Sequence, residues 1–93
     1  MTLHILSQPP SHNAFQSGIS HVSEGDVVLL INDGVYGLNQ ALSGTWPSVA
    51  RQAVFALEQD SLARGITAEP SALIDYDAFV ALTSRHNPIQ SWY

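Results

Sequence analysis

Asp26-Val27-Val28-Leu29-Leu30-Ile31-Asn32-Asp33-Gly34 decides the fold of this chain. Five consecutive apolar residues, three of them β-branched, stand between Gly25-Asp26 and Asp33-Gly34. A strand with one wet face would alternate polar and apolar residues. A short unbroken run between turn residues fits a strand covered on both faces, which in a small domain is the middle of a parallel sheet. Burying five such side chains contributes roughly 7–15 kcal/mol gross, at about 1.5–3 kcal/mol each. The segment that follows, Asp33-Gly34-Val35-Tyr36-Gly37, leaves the carboxyl end of that strand, where ligands of open α/β sheets gather.

Working outward, Leu3–Leu6 reads as a first strand stopped by Pro9-Pro10, and Ala53–Leu57 as a second wholly apolar one. Leu73-Ile74 is a very short strand, and Ile89-Gln90-Ser91-Trp92-Tyr93 alternates like an edge strand. Helical spacing links Phe15, Ile19 and Val22, with Asn13 as the expected N-cap and Gly25 as the left-handed C-cap; Gly18 inside it costs about 1 kcal/mol. Val35, Leu38 and Leu42 form a second stripe, broken by Ser43–Ser48. Asp60 is placed to cap a short helix from Ser61 that Gly65 closes. Asp75 caps the clearest helix, in which Tyr76, Phe79, Val80 and Thr83 share a face that Leu82 widens; Arg85 and His86 suit its C-terminal dipole, and Asn87-Pro88 stops it. The order β-α-β-α-β-α-β-α-β predicts an α/β fold: one small domain over residues 1–93, a mostly parallel sheet of about five strands, and helices on both faces.

Composition narrows the function. The 93 residues contain no cysteine and no lysine; Arg51, Arg64 and Arg85 are the only fixed cations, and the net charge is −5. Three scattered arginines make no counterion-displacing patch, so direct nucleic-acid binding is not expected. No apolar run is long enough to span a membrane and the N-terminus lacks a signal-peptide pattern, so the chain reads as cytoplasmic. Charged residues are 12% of the chain, about half the usual quarter, which suggests that other subunits cover part of its surface.

Catalytic chemistry is hard to find. The Asp33–Gly37 segment has neither dinucleotide-fingerprint spacing nor a P-loop lysine, and Asp33 would repel a phosphate. His4, His12, His21 and His86 share no metal-ligand spacing and read as surface or capping residues. Asp75 and Asp77 are explained by the helix start they occupy, and Glu24 and Asp26 read as solvated turn residues. No nucleophile, base and orienting group come together, and no cofactor or metal site is expected. Trp92 and Tyr93 at the C-terminus, and Trp46 beside Pro47, either pack on their own domain or anchor a partner.

Three segments together resemble one family: Ser23-Glu24-Gly25-Asp26 with the apolar run and Asp33-Gly34-Val35; Ala56–Ile66; and Ile74–Thr83 with the terminal Trp92. They are similar to the TusB/DsrH family of small sulfur-relay subunits, over about Leu3 to Tyr93, with Leu38–Val49 matching poorly. The resemblance implies a DsrE-like fold. It implies TusC-like and TusD-like partners in a dimer of heterotrimers that takes persulfide sulfur from a TusA-like carrier and passes it to a TusE-like one. The end product implied is 2-thiouridine at the tRNA wobble position, with the reactive cysteine on the TusD-like subunit. A DsrH-type role in dissimilatory sulfur oxidation is the variant within the family. The rivals outside it are a stand-alone domain binding a small anion or nucleotide, and an enzyme using Asp and His residues. Without a thiol this polypeptide cannot carry the sulfur, so the expected role is a non-catalytic subunit. The expected subunit interface comprises Asp33, Gly34, Val35 and Tyr36 with Trp46, Trp92 and Tyr93. Trp92→Ala and Val35→Asp are then expected to weaken assembly more than the isolated fold.

Overall fold

The computed structural model describes residues 2–68, 70–85 and 88–92. Expectations for His86, Asn87 and Tyr93, and for the side chain of Leu42, lie outside the described residues. Five strands run β1 (Leu3–Leu6), β2 (Val27–Leu30), β3 (Val54–Leu57), β4 (Leu73–Ile74) and β5 (Ile89–Trp92). The helices are α1 (Asn13–Ser20), α2 (Leu38–Leu42), α3 (Glu58–Ala63) and α4 (Tyr76–Arg85). All four strand pairings are parallel, in the order β4-β3-β2-β1-β5. β2, the run that opened the reading, is buried at every position and β5 is an edge, as expected.

The strand order explains how the helices are shared between the two faces. From β1 to β4 the chain steps one way across the sheet, so right-handed crossovers lay those connections on one face. The return from β4 to β5 runs the other way and puts α4 alone on the opposite face. The core divides accordingly. Phe15, Ile19, Leu38 and Ala41 pack with Leu6, Val28, Leu30 and Ala56 on the crowded face. Phe79 and Leu82 of α4 pack against Leu3, Ile5, Val27 and Leu29 on the other.

Several local expectations change. The N-cap of α1 is His12, not Asn13: His12 is extended and its Nδ1 accepts the Ala14 N–H at 3.0 Å. The helix ends at Ser20, and Gly25, with φ of +86°, turns the chain into β2 instead of capping α1. The segment after β2 is a 3₁₀ stretch, Asn32–Gly37, and α2 proper begins only at Leu38, so Val35 precedes that helix. α3 begins at Glu58, so Asp60 sits within its first turn and not at its cap. Asp75 does cap α4, accepting the Ala78 N–H at 2.8 Å. The α4 stripe is split, however. Phe79 and Leu82 face the sheet while Tyr76 and Val80 are 60% and 48% exposed, because among the described residues a single helix covers that face with no second layer outside it.

Two glycines have packing reasons. A Cβ on Gly18 would overlap Leu6 Cδ2 and press on the Trp92 ring, so its intrinsic cost in α1 is offset by close approach to the sheet. A Cβ on Gly34 would overlap the carbonyl oxygen of Leu6, and backbone cannot swing aside as a side chain can. Gly34→Ala is expected to destabilise the protein by about 3 kcal/mol, read from the urea midpoint at unchanged slope.

Candidate functional site

The carboxyl ends of β2 and β3 hold the segment singled out in the sequence. Asn32 leaves β2 with φ of +49°, a left-handed conformation that Asn tolerates better than most residues. Its N–H donates to Asp60 Oδ2 at 2.7 Å. Gly34 N–H donates to the Ile31 carbonyl at 2.8 Å. Arg64 Nε donates to Asp33 Oδ1 at 3.0 Å, and its Nη1 to the Asp60 carbonyl at 3.3 Å. The segment is thus clamped onto α3 by one carboxylate and one guanidinium.

This geometry bears on the anion-binding rival. The Asn32 and Gly34 amides already have acceptors, and the flanking carboxylates of Asp33 and Asp60 repel negative charge. Arg64, the cation at this end, is spent on Asp33. Among the described residues no group of three or more His, Asp or Glu side chains could hold a metal ion. A depression of about 230 Å³ lies at the other end of the sheet, at the start of β3, lined by Arg51, Gln52, Phe55 and Ser71 among others. None of the residues proposed from the sequence lines it.

Those residues are not brought together as one surface. Asp33 and Tyr36 are exposed, Tyr36 by 48%. Gly34 and Val35 are buried, Val35 completely. Trp46 is buried as well, its ring edge-on to Phe15 at 5.7 Å. Val35→Asp is therefore a lesion of the core, not a probe of assembly. Trp92 packs half-buried on its own domain: its ring lies 4.9 Å from that of His21 and 6.2 Å from that of His4.

Around Trp92 is a hydrogen-bonded chain that the residue-by-residue reading missed. His4 and Asp26 are buried, at 4% and 8% exposure, where a surface histidine and a solvated turn carboxylate were expected. Trp92 Nε1 donates to His4 Nδ1 at 3.2 Å, and His4 Nε2 lies 2.9 Å from Asp26 Oδ2. The indole can only donate, so His4 Nδ1 must accept and Nε2 must carry the proton to Asp26. Asp26 also accepts the Thr2 N–H at 2.9 Å and the Ser23 N–H at 3.0 Å. Burial raises the pKa of this carboxyl group, but the bonds from Thr2, His4 and Ser23 outweigh it and hold the value down at about 2. The chain ties β1, the α1–β2 turn and β5 together. Its signal in the sequence was a histidine inside an otherwise apolar strand.

A model of the DsrH-like family, described as "DsrH like protein", matches residues 8–89. Protein TusB of Escherichia coli K12 is 38% identical over 97% of this chain and 99% of its own length. Protein TusB of Pectobacterium parmentieri is 39% identical over the same shares. The solution structure of protein Tm0979 from Thermotoga maritima superposes with a TM-score of 0.63 at 25% identity, over 95% of this chain and 97% of that one.

Proposed function

Because this chain belongs to the DsrH-like family, we propose that it acts as a non-catalytic subunit of a sulfur-relay complex of the TusB kind, serving 2-thiouridine formation at the tRNA wobble position. Family membership supports a sulfur-relay role, and the likeness to TusB proteins supports the tRNA branch of it. One observation carries the assignment of a non-catalytic part: there is no cysteine anywhere in the chain. Persulfide transfer needs a thiolate, and no other side chain substitutes for it. The reactive sulfur must then reside on partners, TusC-like and TusD-like subunits, fed and drained by TusA-like and TusE-like carriers. The whole of residues 1–93 serves as one domain in this role. No helix among the described residues is long and apolar enough to cross a membrane, which fits a cytoplasmic complex.

In this reading the interface expected from the sequence divides by accessibility. Asp33 and Tyr36 meet the partner directly. Gly34, Val35 and Trp46 set the shape of the segment from within, Trp92 ends the edge strand, and Tyr93 follows it in the sequence. Co-expression with TusC-like and TusD-like chains, followed by sizing, tests the proposal. A single species containing all three chains, far above the 10.1 kDa of this one, is expected. Tyr36→Ala should leave the urea midpoint of the isolated chain within about 1 kcal/mol of wild type while weakening co-elution at least tenfold. A chain that elutes alone in the presence of both partners sinks the subunit role.

A further inference from the structure

Among the described residues nothing covers the outward side of α4, and that side has a chemical pattern of its own. Its exposed positions are Tyr76, Asp77, Val80, Ala81, Ser84 and Arg85. They are spaced i, i+1, i+4, i+5, i+8 and i+9, and form two neighbouring inclined rows, Tyr76-Val80-Ser84 and Asp77-Ala81-Arg85. A two-fold between Val80 and Ala81 lays each row of one copy against the same row of the other, reversed, so that Tyr76 lies beside Ser84, Val80 beside Val80, Asp77 beside Arg85 and Ala81 beside Ala81. These pairs attract: a carboxylate meets a guanidinium, an aromatic ring meets a small polar side chain, and the apolar Val80 and Ala81 meet their own copies. The Tyr76 ring is already set in place by stacking on Phe79, with centroids 5.8 Å apart and planes 9° from parallel. Asp77 and Arg85 form no ion pair among the described residues, and eight positions apart they cannot reach each other within one helix.

We propose that this stripe is a homotypic docking surface, on which α4 of a second copy of this chain lies antiparallel across a two-fold axis near Val80 and Ala81. An isologous contact requires self-complementarity, and the stripe has it in charge as well as in shape. The opposed helix dipoles favour the same arrangement, since each acidic N-terminal turn lies beside the other copy's basic C-terminal turn. Ala81 at the centre lets the axes approach to about 8 Å. A ten-residue helix is about 15 Å long, so the contact buries on the order of 300–400 Å² per copy. A standard stable dimer buries about 800 Å² per partner. The contact is therefore weak and concentration-dependent in isolation, and it gains effect when other interfaces hold two copies near each other. It stands on α4 alone and does not depend on the sulfur-relay reading.

The absence of native cysteine makes the register directly testable, because any introduced thiol is the sole one. In the proposed pairing the two Ala81 residues are offset by about 1.5 Å along the axis and the two Ser84 residues by about 10 Å. Only the first falls within disulfide reach. Purified full-length Ala81→Cys, oxidised at about 100 μM, should give at least tenfold more disulfide-linked dimer than Ser84→Cys. It should exceed by as much Leu62→Cys on α3, a control residue 66% exposed. Adding Arg85→Asp to Ala81→Cys should cut the yield severalfold, and adding Asp77→Arg to that variant should recover it. Circular dichroism confirms that each variant is folded. Equal cross-linking at all three positions would mean random collision and would overturn the pairing. So would a folded Ala81→Cys protein that stays unlinked, which would leave the stripe to a non-identical chain. Either failure leaves the co-expression result untouched, so the two ideas fail separately.

Discussion

Val35→Asp should abolish the folded state at room temperature. The side chain has zero exposure and sits among Leu6, Phe15, Leu30 and Leu38 in the crowded-face core. Replacing it forfeits about 2 kcal/mol of apolar burial. It also places a carboxyl group where no partner reaches it, which costs a further 2–4 kcal/mol or so even when the group takes up a proton to shed its charge. The sum, about 4–6 kcal/mol, approaches the whole stability of a typical small domain, about 5–15 kcal/mol. The measurement is a urea or thermal melt of the isolated chain. Val80→Asp is the control, since Val80 is 48% exposed, and it should shift stability by no more than about 0.5 kcal/mol. A cooperative melt for Val35→Asp close to that of wild type would mean that Val35 lies at a surface after all. The interface role expected from the sequence would then regain its footing.

This reversal shows what the sequence could and could not convey. The unbroken run of β2 announced a strand covered on both faces, and the alternation of apolar runs with helical stripes announced a parallel sheet. Both signals are local, so both were legible. Whether the first residues beyond the run point inward was not, because it depends on the 3₁₀ geometry of Asn32–Gly37 and on Gly34 lying against Leu6. Helical spacing puts Tyr76 and Val80 on one face with Phe79, because it gives a stripe but not the width of it that is covered. The width was set by a topological fact, that one crossover alone runs backward across the sheet. Trp92 was ambiguous for a related reason. Its partner His4 is 88 positions away, and only the β1–β5 pairing reveals that they meet. The family likeness drew on short segments spread along the chain, and it fixed the fold class more securely than any site.

Asp26→Asn should cost about 2–4 kcal/mol at pH 7, although it changes neither size nor shape. Asp26 is an acceptor for three donors, the N–H groups of Thr2 and Ser23 and the Nε2–H of His4. An amide offers one oxygen and one NH₂. If the oxygen serves Thr2, the NH₂ faces the Ser23 N–H and His4. His4 can accept at Nε2 only by moving its proton to Nδ1, where it meets the Trp92 N–H. If the oxygen instead serves Ser23 and His4, the NH₂ faces the Thr2 N–H. Every arrangement sets at least one buried donor against another, at about 1–3 kcal/mol each. The pH dependence follows from the direction of the carboxyl shift. The folded pKa, about 2, lies below the usual 3.8, so the unfolded chain binds the proton first on acidification. The stabilisation is complete above the unfolded value and is lost as the pH falls from about 4 through 2. Wild type and Asp26→Asn should therefore differ most at neutral pH and converge toward pH 2 in urea titrations followed by tryptophan fluorescence. Trp92, at the far end of the chain of bonds, should be more exposed in the folded variant than in wild type. A difference that stays constant across that pH range would show that Asp26 is not the titrating acceptor, and that His4 and Trp92 are held by packing alone.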